Sequence, residues 1–296
     1  FGQEDGYINF GDELILFDEE TDFVGGGNDG AVTSAPTVDI NESGTGYAMI
    51  TAYFLGGDVD ESPFANHHTA VLKKTMDYGN SWTGGQDGSD YLFIPDEVFQ
   101  DMMNNGDFDP VWDDGCFDEL MIIEKPFITY EFDLRVDADG DPHIIVGIIA
   151  SDAGSLYPEF IHNGFYHFTI DHNYIMSPGE PQTETGWNYS KVLATDNIWG
   201  WEDADGETYW QKSFPSLAIS EENDDVMWVV TSVPVQGEFV MIDDAGTPED
   251  TCDDIGVYPE WNEEILVIKS INGGATWWCP YNVTQTVPAC WAADDG

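Results

Sequence analysis

Two aspartate-rich turns are the segments of this chain best suited to binding a metal ion. They are Asp137-Ala-Asp139-Gly-Asp141 and Asp203-Ala-Asp205-Gly-Glu207, each with carboxylates at alternate positions. Hard oxygen ligands in this pattern predict Ca²⁺ as the cofactor, although the glycine comes earlier than in a twelve-residue calcium loop and the final glutamate is missing. Asp-Gly is also a common hairpin turn, and a plain hairpin is the favoured interpretation of the first turn.

Aromatic residues flank the second of these turns. The four are Trp199, Trp201, Tyr209 and Trp210. Such a group predicts a platform on which a sugar ring stacks, and core packing between sheets is the alternative.

No group of residues predicts a particular enzymatic reaction. With 58 Asp and Glu, carboxylate pairs for glycoside hydrolysis can arise on any surface. The chain has no GxSxG, HExxH or phosphate-binding loop. His162, His167 and His172 recur every five residues, and the first two would face opposite sides of a strand, which argues against a metal cluster. No catalytic residue is assigned.

The charge of the chain excludes two classes of partner. Lys and Arg total 7 against 58 Asp and Glu, a formal net charge of −51. Seven cations cannot form a patch for nucleic acid phosphates or an anionic membrane, and no apolar run is long enough for membrane insertion. A saline habitat explains this acidity, and specific Ca²⁺ sites are a second explanation compatible with the first.

The cysteines predict an extracellular protein with two disulfides. The four are Cys116, Cys252, Cys279 and Cys290. They form no CxxC pair and have no histidines at zinc-ligand spacing. A Cys279–Cys290 disulfide would close a short loop and leave Cys116 to pair with Cys252. Sequons at Asn41, Asn188 and Asn282 carry little weight, because such triplets are common by chance.

The elements that would position these groups are short strands in three similar segments. Each segment reads as strand, tight turn, strand, longer loop and strand. The strands are 35–40, 46–54 and 68–75; 130–136, 143–149 and 164–170; and 214–219, 226–232 and 264–270. Each segment is expected to be the inner part of a four-stranded antiparallel sheet, so the predicted class is all-β. One helix is predicted over 95–103, with proline in its first turn.

The first and third segments end in one eight-residue motif. Thr75-Met-Asp77-Tyr-Gly79-Asn-Ser81-Trp82 and Ser270-Ile-Asn272-Gly-Gly274-Ala-Thr276-Trp277 fit S/T-x-D-x-G-x-S/T-W, with Asn replacing Asp in the second. The acid or amide caps the turn, glycine takes a positive φ, and both tryptophans are expected to be buried between sheets. The motif resembles the Asp-box of sialidase-like β-propellers. The second segment ends at 170–173 without Gly or Trp, so its box is degenerate or lost.

This resemblance implies a β-propeller of four-stranded blades, with each box between the third and fourth strands. From Asp77 to Asn272 is 272 − 77 = 195 residues, about four repeats of ~45–50 residues. A single domain over 1–296 with five or six blades fits, and so does part of a larger propeller. The stretches 83–128 and 173–213 would then be degenerate blades or insertions.

The same resemblance argues against sialidase activity. Sialidases of the family hold the substrate carboxylate with three arginines, whereas this chain has only Arg135, whose expected role is an ion pair on a strand face. The favoured function is a non-catalytic extracellular or cell-surface module for binding or adhesion, with a glycan or protein ligand. A secreted glycoside hydrolase on the same scaffold is the alternative. A structural subunit that self-assembles into a surface layer or filament is the third hypothesis.

Overall fold

The computed structural model describes most of the strands, their turns and one helix. The described residues are 2–4, 7–9, 14–18, 32–53, 68–84, 91–108, 111–112, 121–151, 156–157, 162–174, 186–194, 200–202, 208–210, 214–236, 240–243, 255–257 and 261–284. The strands are β1 (Gly2–Glu4), β2 (Tyr7–Asn9), β3 (Thr37–Ile40), β4 (Gly46–Tyr53), β5 (His68–Thr75), β6 (Leu92–Phe93), β7 (Val111–Trp112), β8 (Met121–Ile122), β9 (Lys125–Val136), β10 (Pro142–Ser151), β11 (Leu156–Tyr157), β12 (Gly164–Ile170), β13 (Trp187–Ala194), β14 (Gly200–Glu202), β15 (Thr208–Trp210), β16 (Ser216–Ser220), β17 (Asn223–Gln236), β18 (Val240–Asp243), β19 (Ile255–Val257), β20 (Trp261–Ser270) and β21 (Tyr281–Asn282). The helix α1 spans Asp96–Asn104.

Three antiparallel sheets, each with four strands in chain order, make up the body of the fold. Sheet 1 has the order β3-β4-β5-β6, sheet 2 the order β9-β10-β12-β13 and sheet 3 the order β16-β17-β20-β21. The short β11 also pairs with β10, and the remaining strands form two-stranded ribbons. The three segments predicted from the sequence are confirmed as sheets, and the all-β class is confirmed with them.

Sheets 1 and 3 have the same register where their central strands end. The last pairs are Gly46 with Thr75 in sheet 1 and Met227 with Ser270 in sheet 3. Thr75 and Ser270 are also the first residues of the two eight-residue motifs. Each motif therefore begins at the same place in its sheet.

The three sheets stack face to face, with an apolar core in each gap. Between sheets 1 and 2 the core includes Met49, Leu72 and Ile144. Between sheets 2 and 3 it includes Ile145 of β10 and Val229 of β17. Alternate residues of β10 point into different gaps, so this strand is buried along its whole length and reads as a continuous apolar run.

Carboxylates join the first strands of the three sheets. The Val136 N–H of β9 donates to Asp39 Oδ2 of β3 at 2.7 Å. The Leu217 N–H of β16 donates to Asp133 Oδ2 of β9 at 2.8 Å. Backbone N–H groups at the edges of sheets 2 and 3 are thus paired by side chains of the preceding sheet. Arg135 forms the expected ion pair, with 3.1 Å between its guanidinium and Asp133 Oδ2.

Sheet 3 is buried on one face only. Its inner face carries Val229 and Ile268, both 0% exposed, whereas Val230, Ile265 and Tyr281 on the outer face are 38%, 44% and 56% exposed. The central outer-face positions are Ser216, Ala218, Trp228, Val230, Ser232, Ile265, Val267, Lys269, Tyr281 and Val283. None of these positions is acidic, whereas Glu263, opposite Pro234, is the next outer-face position of β20. The centre of the outer face of sheet 3 is therefore a largely apolar surface bordered by an acidic position.

The predicted helix is confirmed, with both of its ends displaced by one residue toward the C-terminus. Pro95 is its N-cap, and Asp96 and Glu97 lie in its first turn. Acids in the first turn are favoured by the helix dipole. Val98 and Met102 are buried on one side. In the described part of the chain, no helix has the length and apolar character needed to cross a membrane.

Every described lysine lies over an aromatic ring. The pairs are Lys73 with Tyr91, Lys74 with Tyr47, Lys125 with Phe99, Lys191 with Tyr166, and Lys269 with Trp228 and Trp278, at 4.6 to 5.9 Å from the ring centroids. A cation over a ring face is attracted by the ring quadrupole. These few cations are used in packing.

Candidate functional site

The first Asp-rich turn connects β9 and β10 and is a capped hairpin. Asp137 Oδ1 accepts the N–H groups of Gly140 at 2.7 Å and of Asp141 at 2.8 Å. Gly140 has a φ of 101°, and a Cβ there would lie 2.9 Å from the Thr45 side chain. The carboxylate of Asp137 is therefore used inside the turn, whereas Asp139 is exposed.

The corresponding turns of all three sheets meet at this end of the fold. The Asn41 amide of sheet 1 donates to the Asp137 carbonyl at 2.7 Å. The Ala138 N–H of the same turn donates to Asp224 Oδ2 of sheet 3 at 3.2 Å. This meeting of turns is the candidate functional site.

Asp141, Asp171 and His172 form a group that could hold a metal ion. Their ligand atoms lie within 4.8 Å of one another. The backbone N–H of His172 donates to Asp141 Oδ1 at 2.7 Å, and Nδ1 of the same histidine lies 2.7 Å from that oxygen. Among the described members of the first predicted calcium turn, only Asp141 belongs to this group.

A lysine already supplies positive charge beside this group. Lys74 Nζ donates to the His172 carbonyl at 2.6 Å. Burial lowers the pKa of Lys74 overall, while Asp141 and Asp171 act to raise it. The carboxylates therefore serve as partners of a buried ammonium.

A buried chain of hydrogen bonds runs from sheet 2 to sheet 3 through two histidines. His143 Nε2 lies 3.2 Å from Asp137 Oδ2, and His143 Nδ1 lies 2.9 Å from His167 Nε2. His167 also donates to the carbonyl of Gly274. The two imidazole planes are nearly parallel, with centroids 5.1 Å apart and 7° between their planes.

The groups at the two ends of this chain have shifted pKa values. Burial and then His143 lower the pKa of His167 to about 3, against the raising effect of the Gly274 carbonyl. Burial raises the pKa of Asp137, but the bond from His143 and two backbone N–H groups lower it overall.

The two eight-residue motifs form equivalent turns. In each, the hydroxyl of the first residue accepts the N–H of the glycine, and the side-chain oxygen of Asp or Asn accepts the N–H of the seventh residue. The pairs are Thr75–Gly79 at 2.9 Å, Asp77–Ser81 at 2.8 Å, Ser270–Gly274 at 3.0 Å and Asn272–Thr276 at 3.0 Å. Both glycines have the expected positive φ, 81° and 80°.

The expected burial of the two tryptophans is wrong, because both are half-buried. They also make different contacts: the indole N–H of Trp82 donates to Gly79 of its own turn, and that of Trp277 to the Ser190 hydroxyl of sheet 2. The motif lies at the end of a sheet, where Trp82 covers its own turn and Trp277 packs against the core between sheets 2 and 3.

The predicted aromatic platform is described in part. In the ribbon of β14 and β15, Trp201 pairs with Tyr209 and Gly200 with Trp210. Trp199, Asp203, Asp205 and Glu207 lie outside the described residues. Cys279 is disulfide-bonded, and the other three cysteines lie outside the described residues, so the pairing stays a prediction.

Sequence reasoning missed the groups that the fold brings together here, above all His143, His167 and Lys74. One signal was available for His172, which occupies the place in the second segment that Asp77 and Asn272 occupy in the others.

The chain matches no family model and no curated protein. Among solved structures it is similar to "NanB plus Optactamide", with a TM-score of 0.31 and 9% sequence identity. The match covers 84% of this chain and 51% of the other, so the chain spans about half the length of that structure. A likeness of this size assigns neither a family nor a function.

Proposed function

We propose that this chain is a non-catalytic extracellular binding module on a β-propeller of the Asp-box kind, with a neutral glycan as its ligand. The observation that carries the proposal is the register of β14 and β15, in which Trp201 lies directly opposite Tyr209. Directly opposed positions of an antiparallel pair belong to one face. Two aromatic residues therefore share a face of a ribbon that is separate from the three sheets. Aromatic surfaces with few polar groups are typical of ligand sites.

The charge of the chain favours a neutral ligand. At −51, the protein repels sulfated or carboxylated polymers at long range. A neutral sugar ring meets no such barrier, and its apolar face can pack on an aromatic ring.

Three features support the propeller scaffold. The sheets pack face to face, their first strands contact one another through Asp39 and Asp133, and two of them end in equivalent turns. Repetition of four-stranded units is what a propeller requires.

The use of acids in the described sheets supports a binding role over catalysis. Asp39, Asp133 and Asp137 all accept backbone N–H groups that hold strands or turns together. These carboxylates are therefore part of the scaffold, and the aromatic ribbon is the surface proposed to meet the ligand.

Affinity electrophoresis in gels containing dextran, laminarin, xylan or heparin tests the proposal. We expect retardation by at least one neutral polymer and none by heparin. Trp201→Ala and Tyr209→Ala should each weaken binding about fivefold, since such a ring contact is worth about 1 kcal/mol. Tyr281→Ala is the matched control, because it removes a 56% exposed ring from sheet 3. Equal retardation of all three variants would contradict the proposal, and release of reducing sugar would favour the glycoside hydrolase.

The outer face of sheet 3 favours a second candidate function, a self-assembling structural subunit. A largely apolar face whose central positions carry no acid is where two copies of a chain at −51 can meet with least repulsion. Association should strengthen between 0.15 M and 1 M NaCl, because salt screens the remaining charge. Light scattering after gel filtration measures the mass, with Val230→Asp expected to abolish association. Val38→Asp is the control, since Val38 is 51% exposed on sheet 1. A monomer at every salt concentration would exclude this function.

A further inference from the structure

A buried carboxylate without a full set of partners lies at the other end of sheet 3, away from the junction of turns. Glu264 is 0% exposed on β20, on the inner face that also carries Leu266 and Ile268. Its Oε1 has no hydrogen-bond partner, and its Oε2 accepts a bond from the Thr284 hydroxyl. No lysine, arginine or histidine of the described residues forms an ion pair with it.

The Thr284 hydroxyl contacts this carboxylate, and a second side-chain oxygen contacts Thr284 in turn. Asn282 is 3% exposed on β21, and its Oδ1 lies 2.7 Å from Thr284 Oγ1. Asn282 pairs with Leu266, so the antiparallel register brings position 284 beside Glu264. The Ile265 N–H also donates to the Thr284 hydroxyl, at 3.3 Å.

One oxygen of this cluster has no hydrogen bond. The Thr284 hydroxyl lies within hydrogen-bond distance of Glu264 Oε2 and of Asn282 Oδ1, whereas Glu264 Oε1 has no hydrogen-bond partner. A buried carboxylate with an unsatisfied oxygen destabilises the fold unless a cation or a donor compensates it.

We infer that Glu264, Asn282 and Thr284 form a site for a Ca²⁺ ion. Carboxylate, amide carbonyl and hydroxyl oxygens are the hard ligands that Ca²⁺ takes, and its flexible coordination suits oxygens from two neighbouring strands. Thr284 is exposed, which gives the ion a path to the otherwise buried carboxylate. Asn282 and Thr284 are also the first and last residues of a sequon. In this site the buried amide of Asn282 is a ligand and not a glycan acceptor.

The site differs from the Asp-rich turn, the other proposed calcium site of this chain, and it is independent of glycan binding. Removal of the Glu264 charge should not destabilise the ion-free protein. Glu264→Gln deletes the buried charge, so the variant should be at least as stable as the wild type in chelator and should lose the calcium response.

Melting curves of the full chain in EDTA and in 10 µM to 10 mM CaCl₂, at ionic strength matched with NaCl, test this inference. Extracellular calcium modules bind at about 10⁻⁴ to 10⁻³ M, within this range. The wild-type melting temperature should rise with Ca²⁺, and Glu264→Gln should raise the concentration of half effect at least tenfold. Glu222→Gln is the matched control, an exposed glutamate of the same sheet. Asp139→Asn reports on the Asp-rich turn separately.

Two outcomes would overturn the inference. One is a calcium response of Glu264→Gln equal to that of the wild type. The other is lower stability of Glu264→Gln in chelator, which would show that the fold compensates the Glu264 carboxylate without an ion. Thr284→Val provides a second test if Glu264→Gln does not fold, because it removes one ligand and keeps the charge; an unchanged calcium response would refute the site.

Discussion

Protonation of one buried histidine should make this protein lose stability between neutral pH and pH 4.5. His68 of sheet 1 is 0% exposed, stacks on Phe127 at 4.3 Å and contacts the Thr33 hydroxyl through Nε2 at 2.6 Å. Burial and then the Lys125 ammonium lower its pKa to about 3, against the raising effect of the Ile128 backbone.

The direction in which the free energy of unfolding changes with pH follows from proton binding. In the unfolded chain His68 titrates near its ordinary pKa of 6.5. Between pH 6.5 and pH 3 the unfolded state therefore binds a proton that the folded state does not bind. His68 therefore contributes its full stability above pH 6.5 and loses it as pH falls. Integrated from pH 7 to pH 4.5, the loss from this one group is about 2.5 kcal/mol.

Urea unfolding at pH 7, 6, 5 and 4.5 measures this loss, with His68→Gln as the comparison. Glutamine does not titrate, so the free-energy gap between wild type and variant should close by about 2.5 kcal/mol over this range. Carboxylates common to both proteins cancel in the difference. Parallel stability curves for the two proteins would show that His68 is not a buried neutral imidazole, and the reasoning would fail.

Further predictions concern the turns and the cysteines. Gly274→Ala should destabilise the protein by about 1–3 kcal/mol more than Gly106→Ala in urea unfolding. Both glycines have a positive φ, but only at Gly274 would a Cβ lie 2.4 Å from the His167 ring; equal losses would refute the clash. Asp77→Asn should keep the melting temperature and Asp77→Ala should lower it, because Asn272 already serves in the equivalent turn; equal melting temperatures for the two variants would contradict the capping role. Mass spectrometry of unreduced peptides should find the two disulfides predicted above, and four free thiols would refute them.

The sheets could be predicted because their signals are local. Alternating strands, Asp-Gly turns and the eight-residue motif all depend on neighbours in sequence, and these predicted the three sheets and α1. The turn at Asp137 was likewise correctly favoured as a hairpin, since an aspartate two or three residues before a glycine caps its own turn.

The candidate site could not be predicted in the same way, because it depends on which faces meet. His143 and His167 are 24 residues apart and are joined only by the pairing of β10 with β12. Lys74 reaches His172 from a different sheet. The contact of Trp277 with Ser190 also depends on a neighbouring sheet, and no pattern within eight residues encodes it.

The placement of the cations has a consequence for proteolysis. The described lysines and Arg135 all lie within β-strands, and each lysine is held against an aromatic ring. Trypsin binds a lysine or arginine within an extended, accessible segment. Cleavage at these positions therefore requires the strand to leave its sheet. Acidic residues such as Asp139 and Glu222 lie exposed in turns, where a protease that cuts at acids can reach them without unfolding. At the described positions, trypsin would report the opening of whole sheets, and a protease specific for acidic residues would report the surface.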